Sequence, residues 1–180
     1  RHPWIVSPIG MKPGKQWQTG LPRRFSSHRV LGPHGDGKHG SGGGVQGISL
    51  LSKHVDAAID AGQVPPFLVV FVNGLRLGMY VDWKNGSAPI ESVIIKDLIP
   101  HIDTSYRTIP IRKGRLIDGF SMGGYGAARL GFKYPELFGA VSIMGGGPLQ
   151  ETLTQTPRAS SKQVEQLMQE VYGGKHENFR

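Results

Sequence analysis

The chain has 180 residues, 27 glycines, 13 prolines, no cysteine and a formal net charge of +8. That length allows one domain with a sizeable core, and the glycine and proline content argues against a helical bundle. Without cysteine there is neither a disulfide framework nor a thiolate metal site, and no apolar run reaches the length of a membrane span.

Positive charge is concentrated before Ser41, where Arg1, Lys12, Lys15, Arg23, Arg24, Arg29 and Lys38 face only Asp36. A basic arm suits nucleic acid or an anionic surface. This one has no amphipathic repeat, and Trp4, Trp17 and Phe25 are too scattered to form a stacking platform. A solvated tail is therefore the preferred reading, and a nucleic-acid partner is not expected. Residues 1–44 are read as an irregular, basic, Gly/Pro-rich region. Residues 45–180 are read as a partial α/β core, one domain overall. The first residue is Arg1, so a processed, trimmed or partial product is expected. No signal peptide is visible, and secreted and cytoplasmic settings both remain open.

Within the arm, Trp4-Ile5-Val6 suits a short strand, and Pro3, Pro8, Pro13 and Pro22 break up the rest. Val30-Leu31 is too short for a central strand, and Gly32-Pro33 interrupts it. His34, Asp36 and His39 invite a metal reading, but their spacing matches no ligand signature and no metal is expected. Gly35, Gly37 and Gly40 spell G-x-G-x-x-G without a strand before or a helix after, so no dinucleotide cofactor is expected.

Val45, Ile48, Leu51, Val55 and Ile59 recur at three- and four-residue steps, which predicts an amphipathic helix ended by Gly62. The apolar, β-branched and aromatic run 67–72 predicts a strand covered on both faces. The loop 75–85 follows it at the mouth of any site the sheet carries. There Tyr80 and Trp83 read equally as walls of a substrate groove or as loop anchors. Ser87 suits a helix cap, and Pro89 suits the first turn of the next helix. His101 then falls near that helix's C-terminus, where a structural role is expected.

Next comes Leu116-Ile117, then Asp118-Gly119-Phe120-Ser121-Met122-Gly123-Gly124, then the helical run 125–132. Strand, tight turn and helix form the setting of a G-x-S-x-G nucleophile elbow. The serine occupies a strained turn, and neighbours without side chains let strand and helix approach. The helix N-terminus offers free backbone donors to a developing oxyanion. Residues 140–144 read as a further strand, giving a βαβ-like order with Ser121 at the carboxyl end of a strand. Val164, Leu167, Met168 and Val171 line one face of a last helix.

These residues together resemble the esterase D-like branch of the α/β-hydrolase family, which includes feruloyl esterases, formylglutathione hydrolases and related acyltransferases. The resemblance spans 45–146. It is carried by Asp97-Leu98-Ile99-Pro100-His101-Ile102-Asp103, by Tyr106-Arg107, by 119–126 and by Tyr134-Pro135-Glu136-Leu137-Phe138. It implies a three-layer α/β/α fold with a mostly parallel sheet. It also implies Ser121 as nucleophile and the backbone amide of Met122 as one oxyanion donor. His34-Gly35 resembles the family's oxyanion loop, which would make the amide of Asp36 the second donor.

The family order is serine, then acid, then histidine. No aspartate follows Ser121, and His176 is the sole later histidine. His176 with Glu170 or Glu177 as orienting acid is one reading. The preferred reading places base and acid in residues past the equivalent of Arg180, which makes this sequence a truncated core. The leading expectation is a serine ester hydrolase acting on short acyl or aromatic esters of feruloyl or acetyl type. The alternatives are a non-catalytic homologue that binds ester or sugar ligands, and an acyltransferase using the same serine. Acyl transfer through serine requires no cofactor.

Overall fold

The structure, a computed structural model, describes residues 4–9, 29–31, 53–75, 78–146 and 160–179. Its strands are β1 (Trp4–Ile9), β2 (Arg29–Leu31), β3 (Leu68–Asn73), β4 (Arg115–Phe120) and β5 (Ala140–Met144). They form one sheet in the order β2-β3-β1-β4-β5. Every neighbouring pair among them is parallel. Helix α1 covers 53–60. Helix α2 is continuous through Ile90–Ser92, Val93–Leu98 and Ile99–Ser105. Helices α3 (Met122–Lys133) and α4 (Ser161–Tyr172) follow.

In β3, Leu68, Val70 and Val72 enter the main core, while Val69 and Phe71 on the opposite face are also buried. A strand covered on both faces explains the unbroken apolar run. In that main core, Ile94, Ile99 and Ile102 of α2 and Ala127 and Leu130 of α3 meet Val6, Val70 and Ile117 of the sheet. The result is the α/β-hydrolase-like core that the sequence implied. A second cluster joins Val164, Leu167, Met168 and Val171 of α4 to Val81, Tyr125 and Phe179.

The N-terminal region departs from the irregular reading. Trp4–Ile9 is the middle strand of the sheet, paired with β3 along its length and with β4 through Trp4, Ile5 and Val6. Val6 is fully buried. Pro8 is tolerated because it lies past the last pairing with β4, so only one side of the strand is engaged there. β2 takes an edge position beside β3, which suits a strand of three residues.

Helix ends follow local chemistry. Gly62, at φ +68°, closes α1 as expected. Ser87 does not cap α2; its backbone N–H and its hydroxyl donate to Asn85 instead. Asp82 serves that end, with Oδ1 accepting the Ser92 N–H at 2.9 Å and Oδ2 accepting the Ser92 hydroxyl at 2.6 Å. The middle turns of α2 are π-helical, and Ile99 N–H donates to the carbonyl of Ile94, five residues back. This wide turn precedes Pro100, whose missing N–H breaks the ordinary ladder. The reciprocal box of Ser160 and Gln163 opens α4, and Gly173 at φ +64° closes it.

Glu91 fastens α2 to α3. It is buried and accepts Lys133 Nζ–H at 2.5 Å, the Tyr134 hydroxyl at 2.6 Å and Arg129 Nε–H at 3.3 Å. Burial pushes its pKa up, but the bonds from Lys133 and Tyr134 and the charges of Arg129 and Lys133 outweigh burial and hold it below the usual range. A carboxylate whose folded pKa is lowered stabilises fully above its unfolded value of about 4.3 and loses that contribution as pH falls below it. Glu91→Gln is therefore expected to lower stability at neutral pH by about 2 kcal/mol and to flatten the loss of Tm below about pH 4.3. Parallel Tm-against-pH curves for the two proteins would contradict this role.

Candidate active site

β4 runs directly into Ser121, and α3 begins at the next residue. Ser121 has φ +56° and ψ −121°, a region a residue with a Cβ rarely adopts and holds only when its surroundings enforce it. Its N–H donates to the carbonyl of Met144 at 2.9 Å, tying the turn to the end of β5. Its carbonyl accepts Tyr125 N–H at 3.1 Å, closing the first turn of α3.

The flanking glycines are required by contact. A Cβ at Gly119 would stand 2.0 Å from the carbonyl oxygen of Gly123. A Cβ at Gly124 would stand 2.8 Å from the carbonyl oxygen of Met144. The first glycine thus lets the strand pass under the helix, and the later one lets the helix sit against β5. The Ser121 side chain makes no cap bond to α3, so the first amides of the helix, beginning with Met122, remain available as donors. Ser121 is half-buried. Beside it on the sheet, Phe120, Ile143 and Met144 are 67%, 44% and 48% exposed, leaving apolar side chains at the carboxyl ends of β4 and β5.

The loop after β3 supplies the other strained residues. Leu75, Met79 and Tyr80 have φ of +58°, +50° and +54°. With Ser121 they are the non-glycine residues of positive φ among those described, and they lie at the carboxyl side of the sheet, where open α/β sheets place their sites. None is a glycine, so no sequence signal announced them. Tyr80 is fully buried, its ring between Gly74 of the loop and Gly126 of α3. Burial drives its hydroxyl pKa well above the usual value. Tyr80 is thus part of the core and does not form an open groove wall. Trp83 is half-buried and packs against both core clusters, its backbone N–H donating to Ala88, which is the anchor reading.

The remaining residues singled out in the sequence are not brought together around Ser121. No described side chain hydrogen-bonds its hydroxyl. Asp36, with His34, lies outside the described residues. β2, which precedes it, is separated from β4 by β3 and β1. His176 begins a 3-10 turn, His176–Asn178, and its side chain is outside the described set. Glu170 accepts Gln166 Nε2–H at 2.8 Å, and Glu177 lies 3.6 Å from Lys175. His101 is exposed and lies 3.4 Å from the Ser105 hydroxyl, as a solvated helix-end residue should. Among the described residues no His/Cys/Asp/Glu cluster is suited to a metal, and no helix is long and apolar enough to cross a membrane.

A parallel α/β sheet with a strained serine between a strand and a helix is the arrangement of an α/β-hydrolase-like core. The family model described as "Putative esterase" matches residues 44–171, and the chain belongs to that family. It is 33% identical over 132 residues to an endo-1,4-beta-xylanase/feruloyl esterase of Xylanibacter ruminicola, a match covering 70% of this chain and 17% of that protein. It is 34% identical over 84 residues to an esterase of Mycobacterium tuberculosis, covering 45% of this chain and 18% of that one. A solved ferulic acid esterase superposes with a TM-score of 0.59 at 18% identity, over 99% of this chain and 56% of that one; this likeness concerns the fold alone. The chain spans well under half the length of these curated relatives.

Proposed function

We propose that Ser121 is the nucleophile of a carboxylic ester hydrolase acting on short acyl or aromatic esters through an acyl-enzyme. The observation that carries this reading is the Ser121 backbone at φ +56°, poised at the start of α3. Its Oγ attacks the acyl carbonyl carbon, and the carbonyl oxygen becomes an oxyanion held by the Met122 N–H. A histidine takes the serine proton and delivers it to the alcohol oxygen as the ester C–O bond breaks. Water then attacks the acyl-serine, releasing the carboxylic acid and restoring Ser121. The name of the Xylanibacter relative supports an aromatic acyl group. The exposed apolar side chains of Phe120, Ile143 and Met144 suit such a group.

On this reading the base lies outside the described residues, whether elsewhere in this sequence or in a longer form of the protein. Because no described side chain hydrogen-bonds the Ser121 hydroxyl, a second reading holds for this chain alone: it binds an ester or sugar ligand with little turnover. Kinetics with p-nitrophenyl acetate and methyl ferulate separate the two. The isolated chain should be slower than the longer form by about 10²–10⁴-fold, the usual contribution of a general base. Equal rates would return His176 or an earlier histidine to the role of base. Adding an acceptor alcohol and measuring ester exchange against free acid distinguishes acyl transfer from hydrolysis.

A further inference from the structure

A cavity lies against the C-terminal half of α3, beginning about 12 Å along the helix from Ser121 at 1.5 Å per residue. Its volume is about 270 Å³, below the ~300–1,000 Å³ typical of sites for drug-sized ligands. Its charged lining is Asp82, Lys84, Glu91, Arg129, Lys133 and Glu177. Three cations and three anions balance formally, but their engagements differ. Glu91 is held by Lys133, Tyr134 and Arg129 Nε, and both oxygens of Asp82 are held by Ser92. The terminal guanidinium nitrogens of Arg129 and the ammonium of Lys84 have no partner among the described residues. Asn178, also on the wall, donates its Nδ2–H to the Tyr172 carbonyl at 2.8 Å, and its Oδ1 accepts from no described residue.

We propose that this cavity binds a small polar molecule bearing a single carboxylate, which pairs with the Arg129 fork and Lys84 while its hydroxyl groups donate to Asn178 and Glu177. Planar two-point pairing is the geometry a guanidinium offers a carboxylate. The surrounding Asp82, Glu91 and Glu177 disfavour a dianion, because each added negative charge meets three fixed carboxylates at short range. Neutral sugars satisfy the acceptors but leave both cations unpaired. This site is independent of acylation at Ser121.

The test is calorimetric titration of the chain with D-glucuronate, D-glucose and inorganic phosphate at moderate salt. Glucuronate should bind saturably, and glucose and phosphate should bind at least about fivefold more weakly, the upper range for one exposed ion pair. Lys84 is exposed and pairs with nothing described, so Lys84→Ala leaves the core intact; it should weaken glucuronate about fivefold. Lys113→Ala, which removes the same charge near the start of β4, should not. Ser121→Ala should bind glucuronate like the parent. Absence of saturable glucuronate binding, equal affinity for glucose, tighter binding of phosphate, or equal losses in the two lysine variants would each overturn the proposal.

Discussion

Replacing Ser121 by alanine is expected to lower ester turnover by the longer form about 10⁴-fold or more, the scale seen when the nucleophile of an acyl-transfer triad is removed. The fold should survive, because the side chain caps no helix and the turn is held by main-chain bonds to Met144 and from Tyr125. Ser121→Gly separates strain from chemistry. It should be equally inactive yet more stable than the parent by about 1 kcal/mol, since glycine adopts φ +56° without steric cost. Thermal unfolding of the three proteins checks this. An alanine variant that retains steady turnover would remove Ser121 from the chemistry, and a glycine variant no more stable than the parent would deny the strain.

Gly119→Val should be the most damaging single change to the elbow. The new Cβ would meet the Gly123 carbonyl oxygen at 2.0 Å and its carbon at 2.3 Å. Both are backbone atoms of the helix start, which cannot rotate away as a side chain can. A loss of about 3 kcal/mol is expected, at the upper end for overpacking, with Ser121 displaced and labelling by an acylating reagent lost. Gly62→Ala is the control: φ there is +68° but nothing lies within 4 Å, so only the backbone penalty of about 1 kcal/mol applies. Denaturant unfolding that ranks the two variants equally would contradict the steric account.

The elbow was legible in sequence because its requirements are local. Gly119, Ser121 and Gly123 sit within five residues, and the strand before and the helix after each carry their own pattern. β3 was legible because burial on both faces leaves an uninterrupted apolar run. A strand at Trp4-Ile5-Val6 was legible, but its extension to Ile9 and its middle position were not, because Pro8 reads as a break and the strand takes its place only through distant partners, Leu68 on one side and Arg115 on the other. Tyr80 was ambiguous for a similar reason. Its burial depends on Gly74 and Gly126 making room from two different elements, which no spacing rule links. The Asp82–Ser92 cap and the Glu91 hub were missed because their partners are separated by up to 43 residues. Local cap signals at Ser87 pointed elsewhere.

The most direct test of Ser121 as an activated nucleophile is intact-mass spectrometry after treatment with a fluorophosphonate, applied to this chain and to a longer form. Stoichiometric addition to the longer form, mapped to Ser121 and absent in Ser121→Ala, is the predicted result, with slow or no addition to this chain alone. No addition to either form would contradict the acyl-enzyme account and leave a binding protein built on an esterase fold.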